Sequence, residues 1–174
     1  MSKPEIIGII AATDQAGGLG KGGVIPWRNP EDMQMFKRTT QNSILIMGKK
    51  TYDELNSYKR DPFQPLLSNR LSIVVSTTMA KEGLYNASLI SNINDAYGLA
   101  VYLAMPRGYN IFFIGGKQIF KEAVPYVNRV FLNTVRGKFD CDVNFPFEIL
   151  ENFTHDRSYD LENLVCSEYI KKVV

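Results

Sequence analysis

The run Ile44-Leu-Ile-Met-Gly-Lys-Lys-Thr-Tyr-Asp-Glu-Leu-Asn-Ser57 decides the fold class. Ile44–Met47 is apolar without alternation, as in a strand covered on both faces. Gly48 ends it. Thr51, with Glu54 three residues later, has capping-box spacing, so a helix is expected over Thr51–Ser57. A buried strand feeding a helix through a tight turn is half of a parallel strand–helix–strand unit.

The pattern repeats on either side. Ile6–Ala12, Leu71–Val75, Ile111–Ile114 and Arg129–Val135 are further apolar runs, with Ser88–Ile90 a sixth candidate strand. Between them, Pro30–Thr40 follows a good N-cap in Asn29 and has Pro at the first helical position. Asn92–Ala104 and Lys117–Val127 carry apolar residues at helical spacing. The spacing therefore predicts an α/β fold with a mainly parallel sheet. The ending differs: Phe153–Tyr159 and Val165–Ile170, separated by a polar turn, read as an antiparallel hairpin at the sheet edge. The proline-containing, polar stretch Asn56–Asn69 reads as a loop, and no linker divides residues 1–174, so one domain is expected.

Composition narrows the function. The chain has 174 residues, 45% hydrophobic and 22% charged, enough to bury a core without staples. Twenty Lys and Arg against eighteen Asp and Glu give a formal charge of +2, too small and too scattered for a nucleic-acid binder held by bulk charge. Cys141 and Cys166 form no CxxC, and His155 is the single histidine. A disulfide framework, a structural zinc site and a multi-histidine metal site are all disfavoured. Proton chemistry is expected to rest on another residue type. Ile6–Ala12 is too short to span a bilayer. Lys3 before it imitates a signal peptide, but Glu5 breaks the basic flank and no clean cleavage site follows. A cytoplasmic protein without membrane contact is the expectation.

Four segments carry chemistry. Gly17-Gly-Leu-Gly-Lys-Gly-Gly23 satisfies GxGxxG literally, but Pro26 and Pro30 forbid the helix a dinucleotide fingerprint needs. It reads either as a mobile loop beside a ligand or as a flexible surface turn. Asp32 shares a helix face with Phe36, with Met33 beside them. Burial there would raise its pKa and suit it to hold and protonate a nitrogenous ring, although a first-turn acid ordinarily serves the helix dipole. Gly48-Lys-Lys-Thr51 places two lysines and a capping threonine at a helix start, an anion site or a solvated pair. Ile114-Gly-Gly-Lys-Gln-Ile119 follows a strand and opens a helix, where backbone N–H groups can meet a pyrophosphate. It is not a Walker A loop.

The order of these segments resembles the dihydrofolate reductase family. The resemblance is carried by Ile10-Ala-Ala12, Gly20, Pro26-Trp27, Asp32-Met-Gln-Met-Phe36-Lys37, Met47-Gly48, Thr51, Arg70, Ile114-Gly115-Gly116 and Asp142-Val-Asn-Phe-Pro146. It runs from about Glu5 to Ile170. It implies an eight-stranded, mostly parallel sheet with an antiparallel C-terminal strand, flanked by about four helices. It also implies NADPH-dependent reduction of 7,8-dihydrofolate, sensitivity to antifolates and action as a monomer. By position, Asp32 resembles the acid that binds the pteridine amino group and promotes protonation at N5, with Asn133 behind it and Trp27 in the same set. Ile10, Met33, Phe36, Leu55 and Leu67 would line the folate slot, and Arg70 would pair with the α-carboxylate of the glutamate tail. Ala12, Ile114 and Thr51 resemble contacts to the nicotinamide and its linkage. Gly115, Gly116, Lys117, Gln118 and Ile119 resemble the pyrophosphate turn. Lys49, Lys50, Ser76 and Thr77 would surround the adenosine ribose and its 2′-phosphate. Gly18, Leu19 and Gly20 resemble the flap beside the nicotinamide, which excludes water during hydride transfer.

The chain departs from the family pattern in places. Asn133 stands where threonine is common, Ile25 precedes Pro26-Trp27, and Ser68-Asn69 replaces Pro-Gly before Arg70. The loop Asn56–Phe63 looks longer than in compact bacterial members, which leaves open Leu66 against Leu67 and Arg60 as a second tail-binding base. A riboflavin-pathway NADPH reductase acting on a ribosylaminopyrimidine phosphate is the competing enzyme, and a non-catalytic protein that kept the fold is the competing class. Asp32, Phe36 and Arg70 at pterin-site spacing argue against the first. Asp32, the flap and both phosphate turns argue against the second.

Overall fold

A computed structural model describes residues 2–58, 67–80, 84 and 86–173. Arg60, Leu66 and most of the long loop lie outside the described residues. In chain order the elements are β1 (Ile7–Thr13), β2 (Gly18–Gly20), α1 (Pro30–Thr39), β3 (Ser43–Gly48), α2 (Lys49–Ser57), β4 (Arg70–Val75), β5 (Ser88–Ile90), α3 (Ile93–Ala104), β6 (Asn110–Phe113), α4 (Lys117–Ala123), β7 (Arg129–Val135), β8 (Val143–Asn144), β9 (Phe153–Asp160) and β10 (Leu164–Lys171). Two short 3-10 turns, Met105–Arg107 and Phe147–Asn152, join them.

Eight strands form one sheet in the order β5-β4-β3-β6-β1-β7-β10-β9. All neighbours from β5 to β7 are parallel, and β10 is antiparallel to both β7 and β9. Period-two alternation divides the core. Ile9, Ile44, Ile46, Ile73, Ile111 and Phe113 face one side with α3 and α4. Ile10, Leu45, Met47, Val74 and Phe112 face the other, with Tyr52 of α2 and, half-buried, Phe36 of α1. Both faces being covered explains the unbroken apolar runs. Ala96, Ala100 and Ala104, four residues apart, are each 0% exposed, so α3 seats its backbone close to the sheet. Larger side chains there would overpack the interface at a cost of about 1–3 kcal/mol.

Three local expectations change. Helix α2 begins at Lys49 with Gly48 as N-cap and no side-chain cap bond, so Thr51 lies within the first turn and Glu54 is not a capping-box partner. Helix α4 stops at Ala123, because Pro125 has no N–H to continue the ladder; Val127 is nevertheless buried. The glycine-rich loop is partly ordered: its Gly18–Gly20 segment is β2, which pairs with β8 at Gly18↔Asn144 and Gly20↔Val143.

Candidate active site

Helix α1 positions the central acid. Asn29 accepts the Asp32 backbone N–H at 3.0 Å, and Pro30 fills the first helical position. The helix start is also clamped to the turn between β9 and β10. Glu31 Oε1 accepts the Asn163 N–H at 2.7 Å, and Asn29 Nδ2 donates to the Asn163 carbonyl at 2.9 Å. α1 has no fully buried residue: Asp32 and Phe36 line a cleft, and Phe36 also packs against the core face of the sheet.

Burial raises the Asp32 pKa above the ordinary carboxylate value, because desolvation disfavours the charged form. The Asn133 side chain opposes this by hydrogen bonding, and Trp27 lowers the pKa as well, ranking after Asn133. Asn133 is 4% exposed on β7, level with Ala12 of β1 and Cys166 of β10. The Trp27 Nε1–H is buried and, among the described residues, has no partner at full hydrogen-bond geometry. Its effect on Asp32 is therefore one of proximity, and its donor is available to a ligand atom. Cys166, behind the acid, is a buried thiol whose pKa is raised by burial.

The outer end of this slot is cationic. Arg70 opens β4, and its guanidinium is oriented from three directions. Nε donates to Thr40 Oγ1 at 3.0 Å, Nη1 to the Ser68 carbonyl at 2.6 Å and Nη2 to the Lys37 carbonyl. Thr40 in turn donates to the Phe36 carbonyl at 2.8 Å, tying Arg70 to the end of α1.

The second slot is built from strand ends. The Gly48 N–H donates to the Gly115 carbonyl at 2.8 Å, bringing the ends of β3 and β6 together. Gly115 has φ +117°, a region side chains rarely adopt, and its peptide bond to Gly116 is cis. A Cβ on Gly116 would meet nothing within 4 Å, so a ligand can approach this backbone closely. Lys117, Gln118 and Ile119 follow at the start of α4, where first-turn N–H groups have no acceptor inside the helix. Lys49 pairs with Asp53 at 2.7 Å on the exposed face of α2.

Both slots open into one cleft of about 2120 Å³, more than the few hundred to about 1,000 Å³ of an ordinary single-ligand pocket. Its lining contains Asp32, Asn133, Trp27, Ile10, Met33, Phe36, Leu55, Leu67 and Arg70. It also contains Ala12, Leu19, Gly20, Lys49, Lys50, Thr51, Ser76, Thr77, Ile114, Gly115, Gly116, Lys117, Gln118 and Ile119. Met33 stands at the mouth, 54% exposed. Gly18 alone among the expected site residues is off the cleft. Its N–H donates to Asp14 Oδ1 at 2.8 Å, and a Cβ there would lie 2.3 Å from that of Cys141. Its role is to let β2 pass Cys141 closely.

Two carboxylates escaped the reading from sequence. Asp14, 1% exposed at the end of β1, accepts the N–H groups of Ala16, Gly18 and Phe139 at 2.8–2.9 Å. Glu54 accepts the Ile25 N–H at 3.0 Å. The first had a signal in an acid placed between a strand and a glycine run. The second was assigned to its own helix, and its partner is 29 residues away. Ser91, Asn92 and Ile93 also line the cleft; the sequence reads Asn92 and Ile93 only as a helix start and gives Ser91 no role.

Fold and site define an α/β protein whose cleft holds a glycine turn at a strand end together with one acid of raised pKa. Comparison with known proteins makes this specific. The dihydrofolate reductase family model matches residues 6–165. Dihydrofolate reductase type 9 of Escherichia coli is 31% identical over 152 residues, covering 84% of this chain and 80% of that protein. Dihydrofolate reductase of Drosophila melanogaster is 32% identical over 149 residues, covering 79% and 78%. A solved dihydrofolate reductase from Enterococcus faecalis, complexed with NADP(H) and RAB-propyl, superposes with a TM-score of 0.77 over 97% of each chain at 22% identity, which shows the shared fold. The chain belongs to the dihydrofolate reductase family.

Proposed function

We propose that Asp32, Asn133 and Trp27, with the two slots around them, carry out the family's reaction: NADPH-dependent reduction of 7,8-dihydrofolate to tetrahydrofolate. The observation that carries this reading is a single carboxyl with a raised pKa at the inner wall of a cleft that also holds a glycine turn and paired lysines. The chain acts as one domain, as a monomer in the cytoplasm, and has no need of a nucleic-acid or membrane partner. Among the described residues no helix is long and apolar enough to cross a membrane.

The residues present fit the cofactor. The open backbone at Gly116 and the first turn of α4 suit a pyrophosphate. Lys49, Lys50, Ser76 and Thr77 offer cations and hydroxyls for a ribose phosphate, and Ile114, Ala12 and Thr51 offer a mixed wall for the nicotinamide. NADPH supplies the hydride when bound.

On the substrate side Ile10, Phe36, Leu55 and Leu67 form an apolar slot for a flat heterocycle, and Arg70 supplies a pre-aimed guanidinium for a carboxylate. Asp32 accepts the pterin amino group and holds a proton near neutral pH more readily than an exposed acid does. The proton reaches N5 by way of water and the substrate keto oxygen, since the carboxyl does not touch N5 directly. Asn133 keeps the carboxyl oriented, and the buried Trp27 N–H beside it is available to donate to a ligand atom. Chain-resolved spectrophotometry tests this: NADPH oxidation should require dihydrofolate and be blocked by methotrexate. Absence of both turnover and antifolate binding would contradict it.

A further inference from the structure

The segment between β2 and Trp27 spans the mouth of the cleft, and its two ends are fixed. At one end β2 pairs with β8, the Asp142 N–H donates to the Gly20 carbonyl at 2.9 Å, and the Gly22 N–H donates to Asp142 Oδ2 at 3.0 Å. At the other, Trp27 is buried against Phe139 with ring centroids 5.6 Å apart. The tip between them is a tight turn held by its own backbone: the Lys21 N–H donates to the Val24 carbonyl at 2.8 Å and the Val24 N–H to the Lys21 carbonyl at 3.2 Å. Gly22 and Gly23 have φ +59° and +84°, and a Cβ on either would meet nothing within 4 Å. Val24 and Ile25 are 52% and 45% exposed, so apolar burial does not hold the tip in place.

A hydrogen bond reaches from this tip to the opposite wall. The Ile25 N–H donates to Glu54 Oε1 at 3.0 Å, and Tyr58 Oη donates to the same oxygen at 3.2 Å. Glu54 projects from α2, the helix that also carries Lys49, Lys50, Thr51 and Leu55, and it lines the cleft. The carboxylate does not cap the start of its own helix, where Gly48 is the N-cap without a side-chain cap bond. A charged acceptor on a backbone donor is among the stronger hydrogen bonds a chain makes.

We propose that Glu54 is a positioning residue for the lid: its carboxylate ties the Ile25 N–H across the cleft and retains the bound ligands during turnover. Tyr58 holds the carboxylate in the orientation that faces Ile25. The proposal deepens the reading of this cleft as the NADPH and dihydrofolate site and rests on it for the identity of the ligand retained.

The test uses the full chain and two readouts. In ligand-free protein, amide hydrogen exchange at Ile25 should accelerate several-fold in Glu54→Ala and stay near the unsubstituted rate in Glu54→Gln, which keeps an acceptor oxygen. In stopped-flow displacement, NADPH should leave Glu54→Ala roughly tenfold faster, equivalent to about 1.4 kcal/mol, while Glu54→Gln remains within about threefold and the association rate and Tm stay unchanged. Unaltered Ile25 exchange in Glu54→Ala, or equal acceleration in both variants, would overturn the assignment. Failure of the unsubstituted chain to bind NADPH would instead overturn the reading of the cleft, and the exchange arm would still decide whether Glu54 holds the tip.

Discussion

Asp14 and Asp32 are two carboxyls of one chain, both withdrawn from water, with opposite chemistry. Burial pushes both pKa values up. At Asp14 three backbone N–H groups, from Phe139, Gly18 and Ala16, together with the Cys141 thiol, outweigh burial and bring the pKa below 3.8. At Asp32 two side chains offset burial only in part, and the pKa stays above 3.8. The difference lies in the donors and in the surroundings: four groups donate to Asp14, whereas desolvation is the dominant influence on Asp32. Backbone N–H groups fixed by a strand end and a turn solvate Asp14 as water would, so it stays ionised and braces the lid's base. Asp32 is under-solvated, so its proton is held where a ligand can use it.

Removing each acid should expose the contrast. Asp32→Asn should retain NADPH binding and lose about 100-fold or more of turnover near neutral pH, the scale of a missing general acid; near-normal rates would remove Asp32 from the mechanism. Asp14→Ala should keep the reaction's pH dependence but destabilise the fold by roughly 3 kcal/mol, because three backbone donors lose their acceptor; denaturant unfolding reads this. The stability profiles should diverge with pH. A depressed pKa contributes stability above the unfolded value that is lost as pH falls through the folded one, so the Asp14→Ala deficit should shrink in acid. A raised pKa contributes stability below the unfolded value that is lost as pH rises through the folded one. Asp32→Asn should therefore be more stable than the unsubstituted chain at neutral pH, an advantage that disappears in acid.

The surroundings can be tested more finely. Lys49→Ala with Lys50→Ala should shift kcat/KM preference toward NADH by roughly tenfold, the size of one lost charge-assisted contact. An unchanged NADPH/NADH ratio would detach these lysines from the 2′-phosphate. Asn133→Ala should move the descending, high-pH limb of the rate profile to higher pH, since Asn133 lowers the Asp32 pKa.

The legible parts of the molecule were those written locally. Strands Ile44–Met47 and Ile111–Ile114, the Asn29-Pro30 helix start and the Ile114-Gly-Gly turn each announce themselves within a few residues, and the sheet follows from their alternation. Asp32 was legible because its cap and its apolar neighbours lie in one helical turn. Asp14 was not, since it is defined by Phe139, 125 positions later. Glu54 was misread for a related reason: Thr51 gave it a plausible local partner, whereas the cleft's closure brings it to Ile25. Gly18 was placed at the ligand by its motif, but the thiol of Cys141, remote in sequence, claims it.

The most direct measurement is the pH dependence of the single-turnover hydride-transfer step in the unsubstituted chain and in Asp32→Asn. The rate should fall as pH rises through an apparent pKa above that of an ordinary aspartate, and Asp32→Asn should be slow with no such titration. The same titration persisting in Asp32→Asn would show that another group supplies the proton.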